Sequence, residues 1–179
     1  MTGSGFAEYL PNRRQDEAAL GGPVDVRVAT SGDIDAISEI DTKAGHSPAD
    51  IAAMATAILD ENRLVVVAST GCNVVGWGKT HFWSYADGQA PGGHYLGGVT
   101  VLPEFRRHGI ARTLTQVRLN WIWARADSAW YIVNPSNQAS IDLHREWGFA
   151  EVARAAKFHT TSFTGGVGLL LRAKRPLED

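Results

Sequence analysis

A run of basic and small residues stands where the chain passes from an apolar segment into a helical pattern. It comprises Arg106, Arg107, His108, Gly109, Ile110, Ala111 and Arg112, and apolar residues recur after it at Ile110, Leu114, Val117 and Trp121. This spacing predicts a helix that begins near Gly109. The first N–H groups of a helix have no intrahelical acceptor and lie at the positive end of its dipole. We therefore expect the run to bind phosphate, which Gly109 would allow to approach the backbone closely.

A second segment with polar residues at a predicted helix start follows the short apolar strand at 131–133. Together the two segments resemble the GNAT superfamily of acyl-CoA-dependent N-acyltransferases. The first segment is similar to that superfamily's Arg-x-x-Gly-x-Ala pyrophosphate loop. The second is similar to its Asn-x-x-Ala/Ser-x-x-Leu-Tyr-x-x-x-Gly-Phe segment, in register at Asn137, Ser140, Leu143, Gly148 and Phe149. The resemblance covers residues 24–174, nearly all of the chain.

This resemblance implies that acetyl-CoA is the co-substrate and that it donates its acetyl group directly to an amine through a tetrahedral intermediate. The loop Arg106–Arg112 would hold the pyrophosphate, and Asn137 and Ser140 would contact the cofactor arm. The pantetheine amides would pair with a strand that splays from its parallel neighbour at 129–133. The residues expected on that strand are Val99, Thr100 and Val101, and an amide at or near Val101 would stabilise the oxyanion.

The chain departs from the superfamily at the positions that handle protons. His144 stands where most members carry the tyrosine that protonates the departing thiolate, so it either keeps that role or lines the cavity. Gly97 and Ile132 stand at two positions where relatives carry a basic carboxylate or histidine. We therefore predict a water chain that ends at Tyr95 or at His81.

The elements that must position these residues follow from periodicity and from stop signals. We predict a mixed α/β sandwich, with a central sheet of about seven strands flanked by about four helices. Thr30–Asp33 fits a capping box before a helix with Ile34, Ile37 and Ile40 on one face. Ser47 is predicted to cap a second helix, with its apolar face at Ile51, Met54, Ala55, Ile58 and Leu59. Residues 1–23 are expected to be a flexible arm, and residues 24–179 one domain.

Composition excludes several classes of protein. The 179 residues are 44% hydrophobic and 20% charged, with a formal net charge of −2, which gives no basis for binding nucleic acid or an anionic membrane. The single cysteine, Cys72, excludes an intrachain disulfide, and no metal site is expected. We find no signal peptide and no apolar run of about 18 residues, so a cytoplasmic protein is expected.

The acceptor and the oligomeric state stay open at this point. A small primary amine is favoured, because aromatic residues near 82–85 suggest a partly apolar pocket and Asp41, Asp50 or Asp87 could attract a cation. A peptide N-terminus is the alternative, and so is a module that senses acyl-CoA without turnover. A nucleotide-binding protein of another fold would not explain the segment at 137–149. Trp121 and Trp123 cannot share one helix face, so one of them is a candidate for a homodimer contact.

Overall fold

The computed structural model describes residues 22–177, and the predicted arm lies outside the described residues up to residue 21. Within this range the chain forms four helices: α1 (Ile34–Lys43), α2 (Ile51–Leu59), α3 (Ile110–Trp123) and α4 (Gln138–Arg145). It also forms nine strands: β1 (Val24–Val28), β2 (Val65–Thr70), β3 (Asn73–Trp83), β4 (Gly93–Val101), β5 (Ser128–Val133), β6 (Ala150–Ala155), β7 (Lys157–Phe158), β8 (Thr161–Ser162) and β9 (Gly168–Lys174). Seven of them build one mixed sheet in the order β1-β2-β3-β4-β5-β9-β6. The predicted fold class is confirmed.

The described residues belong to two compact units, and each is described by itself. The N-terminal unit contains residues 22–80 and Gly98–Arg118, and the C-terminal unit contains His81–Gly97 and residues 119–177. Strands β4 and β5 run parallel, with Tyr95 beside Trp130 and Leu96 beside Tyr131. The splay of these two strands and the single domain at 24–179 stay predictions.

In the N-terminal unit, strand pairing follows the sequence pattern. β1 pairs with β2, and β2 pairs with β3 as an antiparallel hairpin whose two-residue turn is Gly71-Cys72. Gly71 has φ +57°, a conformation that glycine adopts without steric cost, and Cys72 is exposed as expected for a turn. The predicted capping box at α1 is also confirmed, because the Asp33 carboxylate accepts from both the Thr30 N–H and the Thr30 hydroxyl. Ile34, Ile37 and Ile40 are buried.

The prediction for α2 is wrong at its start and on its face. The N-cap is Asp50 rather than Ser47, because the Asp50 carboxylate accepts from the Ala53 N–H at 2.7 Å. Helix α2 buries Met54 and Ala57, whereas Ile51 and Leu59 are 61% and 83% exposed. A helix of almost uninterrupted apolar residues has no polar stripe that marks its outer side, so its periodicity cannot fix the buried face.

The C-terminal unit has its core between the sheet and two helical segments. Leu119, Ile122 and Trp123 from the end of α3 pack with Ile141 of α4 against β5 and β9. β9 pairs antiparallel with both β5 and β6, and the short β7–β8 ribbon lies between β6 and β9 in the chain. Among the described residues, no helix is long and apolar enough to cross a membrane.

Candidate active site

The predicted phosphate-binding loop in the N-terminal unit ends where α3 begins. The Thr113 N–H donates to the Gly109 carbonyl at 3.0 Å, which is the first hydrogen bond of the helical pattern. The N–H groups of Ile110 and Ala111 therefore have no acceptor within the helix. This confirms the predicted helix start and leaves a group of backbone donors at the positive end of α3.

The backbone of the loop has two left-handed residues only two positions apart. Arg107 has φ +71° and Gly109 has φ +79°. Left-handed residues also occur in anion-binding nests, in which successive N–H groups line one concave surface. A Cβ atom at Gly109 would meet no heavy atom within 4 Å, so the space beside this backbone is open. An anion could therefore approach the loop at Gly109 without displacing a side chain.

The basic side chains of the loop differ in what they contact. The Arg106 Nε donates to the Val101 carbonyl at 3.2 Å, so this arginine ties the loop to the end of β4. Arg107 is half-buried and Arg112 is exposed. His108 is only 9% exposed, and neither of its ring nitrogens has a hydrogen-bond partner among residues 22–177. Buried polar atoms are normally hydrogen-bonded, so this imidazole lacks a partner that a ligand could supply.

The strand segment that was predicted to pair with pantetheine, Val99–Val101, is packed closely against β3. Thr100 and Val101 are buried, and a Cβ atom at Gly76 of β3 would lie 3.1 Å from the Thr100 carbonyl oxygen. The Leu102 N–H donates to the Val75 carbonyl at 2.9 Å. Val99 is half-buried. The close backbone contact at Gly76 explains the need for a residue without a side chain there.

Arg118 is a residue that sequence reasoning missed. It is completely buried, and its guanidinium donates to the carbonyls of Lys79 on β3 and Gly98 on β4, at 3.0 and 3.4 Å. Within α3 it also donates to the Leu114 carbonyl and the Thr115 hydroxyl. This one side chain therefore connects α3 to the strand that carries Val99–Val101.

The buried face of α3 accordingly differs from the predicted one. The prediction placed Val117 and Trp121 on that face, but both are only half-buried, whereas Arg118 and Trp123 are buried. Trp121 packs beneath the Arg125 guanidinium, which lies 4.0 Å from the ring centroid. The homodimer contact stays a prediction.

In the C-terminal unit, α4 holds a compact polar cluster. The Asn137 side-chain Oδ1 accepts from the Ser140 N–H at 3.3 Å, so Asn137 caps the helix. The Ser140 hydroxyl is hydrogen-bonded to the Tyr131 hydroxyl of β5. The His144 ring stacks on the Tyr131 ring with 4.0 Å between centroids. Tyr131 was not predicted as a site residue, because its contact with α4 depends on the path of the chain between them.

The hydrogen bond of His144 decides which of its nitrogens carries a proton. Nδ1 lies 2.7 Å from the Ser140 carbonyl oxygen, which can only accept, so Nδ1 is the donor. In the neutral ring Nε2 then has a lone pair, and it can donate a proton only when the ring is an imidazolium. The side chain is 1% exposed and has Phe149 and Trp147 beside it.

Tyr95 is poorly suited to accept a proton. Its hydroxyl donates to the Pro91 carbonyl at 2.6 Å. Burial raises the pKa of the Tyr95 phenol well above its ordinary value, because the buried anion would lose its hydration. The role predicted for Tyr95 as the end of a proton chain is therefore disfavoured. His81 is half-buried and lies on β3 two residues before Trp83, so both side chains project from the same face of the strand.

Two of the three carboxylates that were considered for attracting an amine have structural partners. Asp41 is buried and accepts from the Trp77 indole N–H at 3.0 Å, and Asp50 caps α2. Asp87 is exposed in the loop before β4 and pairs through its backbone with Ala90. Only Asp87 therefore keeps a solvent-facing carboxylate without an assigned structural role.

Comparison with known proteins supports the same fold and a specific family. The sequence profile described as the Acetyltransferase (GNAT) family matches residues 34–149. No curated protein sequence is significantly similar to this chain.

Solved structures give the same result at low sequence identity. The ribosomal-protein-S18-alanine N-acetyltransferase from Escherichia coli has a TM-score of 0.70 at 18% identity, over 88% of this chain and 97% of that one. The yncA structure from Salmonella typhimurium with its cofactor acetyl-CoA has a TM-score of 0.67 at 18% identity, over 84% and 93% of the two chains. The ribosomal-protein-alanine N-acetyltransferase from Brucella melitensis has a TM-score of 0.67 at 22% identity, over 84% and 99%. At these identities the likeness shows the fold, and the profile match identifies the family. The chain belongs to the Acetyltransferase (GNAT) family.

Proposed function

We propose that this protein is an acyltransferase that moves an acetyl group from acetyl-CoA to the primary amine of a small molecule. The observation that carries the proposal is the start of α3, where the backbone donors of Ile110 and Ala111 adjoin the open space at Gly109. Charge-assisted hydrogen bonds contribute about 1.5–3 kcal/mol each, so a few such donors suffice to hold a pyrophosphate. Neither ring nitrogen of His108 has a partner within the described part of the chain, which fits a site that a ligand completes.

The remaining cofactor contacts are proposed from the family resemblance. Val99, Thr100 and Val101 would pair with the amides of the pantetheine arm, and an amide near Val101 would hold the thioester oxygen. Asn137 and Ser140 would contact the arm from α4. Their observed hydrogen bonds are compatible with this, because a capping amide keeps its N–H₂ group as a donor.

His144 is proposed to protonate the departing thiolate, since it occupies the position of the tyrosine that has this role in relatives. Its Nδ1–H is committed to the Ser140 carbonyl, so the proton must come from Nε2 of the imidazolium. The Tyr131 phenol lies against the His144 ring and is the second candidate for this proton.

The acceptor is proposed to be a small amine because Trp83 and Tyr85 present partly exposed aromatic rings beside His159. A protein acceptor is the alternative, since two structural neighbours are named as ribosomal-protein alanine N-acetyltransferases. The two readings differ in what the purified protein should acetylate.

The test incubates the purified protein with acetyl-CoA and a panel of acceptors while thiol release is recorded. The panel contains alkyl amines, aralkyl amines, a polyamine and a peptide with an N-terminal alanine, and a reaction without acceptor measures hydrolysis. We expect thiol release that depends on a small amine, with the acetylated product identified by mass spectrometry. Release with the peptide alone would favour the protein acceptor. Tight binding of acetyl-CoA without release for any acceptor would contradict transfer and support a sensor.

A further inference from the structure

The C-terminal unit contains a cluster of three aromatic rings around a histidine that no motif predicted. His159 lies in the turn between β7 and β8 and is 2% exposed. Its ring stacks on Trp83 with 4.4 Å between centroids and 4° between planes. Tyr85 and Tyr95 approach the same ring edge-on, with centroids at 5.6 and 5.4 Å. The orientation of the imidazole is therefore fixed by aromatic contacts.

Hydrogen bonds determine the tautomer of His159. Nε2 lies 3.2 Å from the Pro91 carbonyl oxygen and 3.3 Å from the Tyr95 hydroxyl oxygen. The carbonyl can only accept, and the Tyr95 hydroxyl already donates its hydrogen to that same carbonyl. Both neighbours of Nε2 are acceptors, so Nε2 must carry the hydrogen. The neutral ring then has its lone pair on Nδ1.

Nδ1 of His159 is buried and has no hydrogen-bond partner among residues 22–177. A buried acceptor without a donor is unusual and costs free energy unless a ligand completes it. The backbone adds a second cost, because His159 has φ +48°, in the left-handed region that L-residues seldom adopt. Costs of this kind persist mainly where the surrounding structure enforces them, and they are frequent at functional sites.

We propose that His159 is the catalytic base of the proposed transfer, and that its Nδ1 accepts the proton of the acceptor's ammonium group. The inference rests on the proposed function. The ammonium gives one proton to Nδ1 and becomes a neutral amine, which forms the C–N bond to the thioester carbonyl. The C–S bond then breaks, the thiolate leaves with the electron pair and receives a proton, and the imidazolium of His159 releases its proton to solvent. Overall, the ammonium loses two protons, one to the thiol and one to solvent.

The surroundings of His159 are consistent with this role. Tyr95 lies on β4, the strand whose later residues are proposed to pair with the pantetheine arm. The titratable groups that face the imidazole are the phenols of Tyr95 and Tyr85. Tyr85 is 53% exposed, so its ring is the member of the cluster that can move to admit an acceptor. The face of Trp83 and the ring of Tyr85 would then adjoin the cationic amine.

The first test compares two acceptors that differ in protonation at pH 7. Benzylamine is protonated and needs a base, whereas aniline is neutral and needs none before attack. In His159→Gln the amide can still donate to the Pro91 carbonyl, but the basic nitrogen is gone. We expect kcat/KM for benzylamine to fall about 100-fold at pH 7, a usual contribution of a general base. The value for aniline should fall by no more than about threefold, and the loss for benzylamine should shrink as the pH rises.

The control for this test is His94→Gln. His94 is also buried, with rings of Phe82 and Trp121 around it and Nδ1 without a partner in the described part of the chain. Its substitution should leave the ratio of benzylamine to aniline rates unchanged. Equal losses for both amines in His159→Gln, or the same change of ratio in His94→Gln, would overturn the assignment.

A second measurement does not depend on turnover. Long-range ¹⁵N–¹H correlation spectra of the protein distinguish the two neutral tautomers of each histidine, and His159→Gln identifies the signals. We expect His159 to carry its hydrogen on Nε2, and a hydrogen on Nδ1 would contradict the proposal. If the wild type acetylates no amine, the proposed function fails and the inference fails with it. If the wild type is active and His159→Gln retains the full benzylamine rate, only the inference fails.

Discussion

Replacement of Gly109 by alanine tests the proposed phosphate binding of the loop separately from the loop's stability. The added Cβ meets no heavy atom within 4 Å, so the folded protein gains no clash. The cost comes from φ +79°, since an L-residue in the left-handed region is less stable by about 1–2 kcal/mol. Alanine also lowers the entropy of the unfolded chain, which offsets about 0.4–1 kcal/mol. We therefore expect Gly109→Ala to lower the free energy of unfolding by about 1 kcal/mol.

Gly71 provides a matched control. It has φ +57°, and its Cβ would also meet nothing within 4 Å, but it lies in the turn between β2 and β3. Gly71→Ala should therefore lower stability by about the same amount, for the same reason. Urea denaturation of the two variants and the wild type measures both values.

The two variants should differ in coenzyme A affinity. At Gly109 the new methyl group would occupy the open space beside the loop donors, where a phosphate oxygen must approach the backbone. We expect the Kd for coenzyme A to rise at least about tenfold in Gly109→Ala, equivalent to about 1.4 kcal/mol, and to stay unchanged in Gly71→Ala. Pantetheine, which lacks the pyrophosphate, should bind equally to all three proteins. Calorimetry that finds the same coenzyme A affinity in both variants would refute phosphate binding by this loop.

Three further outcomes are expected. Asp33→Asn should lower stability at pH 7 by about 2 kcal/mol and Asp35→Asn by far less, because Asp33 accepts two bonds from Arg27, which is 45% exposed and screened. The hydrogen bonds from Arg27 lower the pKa of Asp33. The stabilisation by the Asp33 carboxylate is therefore fully present above the pKa of the unfolded carboxyl, about 3.9, and is lost as the pH falls. In urea titrations, the difference in stability between wild type and Asp33→Asn should be smaller at pH 3 than at pH 7. Arg118→Met should cost about 3 kcal/mol, since buried carbonyls lose their donor, and a cost below about 1 kcal/mol in urea would contradict the bracing role. His144→Phe should lower kcat about tenfold and abolish its decline at high pH, with coenzyme A affinity retained; an unchanged kcat–pH profile would exclude His144 as the acid.

The sequence predicted the parts of the fold that local pattern controls. The capping box at Thr30 and the start of α3 both depend on residues within a few positions of one another. In these places a glycine or a helix cap favours one low-energy backbone conformation. The loop proposed to bind phosphate could be selected for the same reason, because its candidate donors belong to the backbone and need only a helix start.

The residues that were missed depend on contacts between distant parts of the chain. His159 acquires its tautomer from Pro91, 68 positions earlier. Tyr131 reaches the Ser140 hydroxyl only through the packing of β5 against α4. From the sequence, Arg118 would be assigned to the solvent-facing side of its helix. It is buried because the carbonyls of Lys79 and Gly98 accept hydrogen bonds from its guanidinium. Hydrophobic periodicity carries no information on such partners.

The Arg118 guanidinium also limits which residue can stand at position 78. A Cβ atom at Gly78 would lie 3.0 Å from both the Nε and the Cζ of Arg118, so the guanidinium would have to shift by a few tenths of an ångström. Such a shift would disturb its hydrogen bonds to Leu114, Lys79, Gly98 and Thr115. We therefore expect homologues that carry an arginine at position 118 to keep glycine at position 78, and homologues that lack the arginine to vary there.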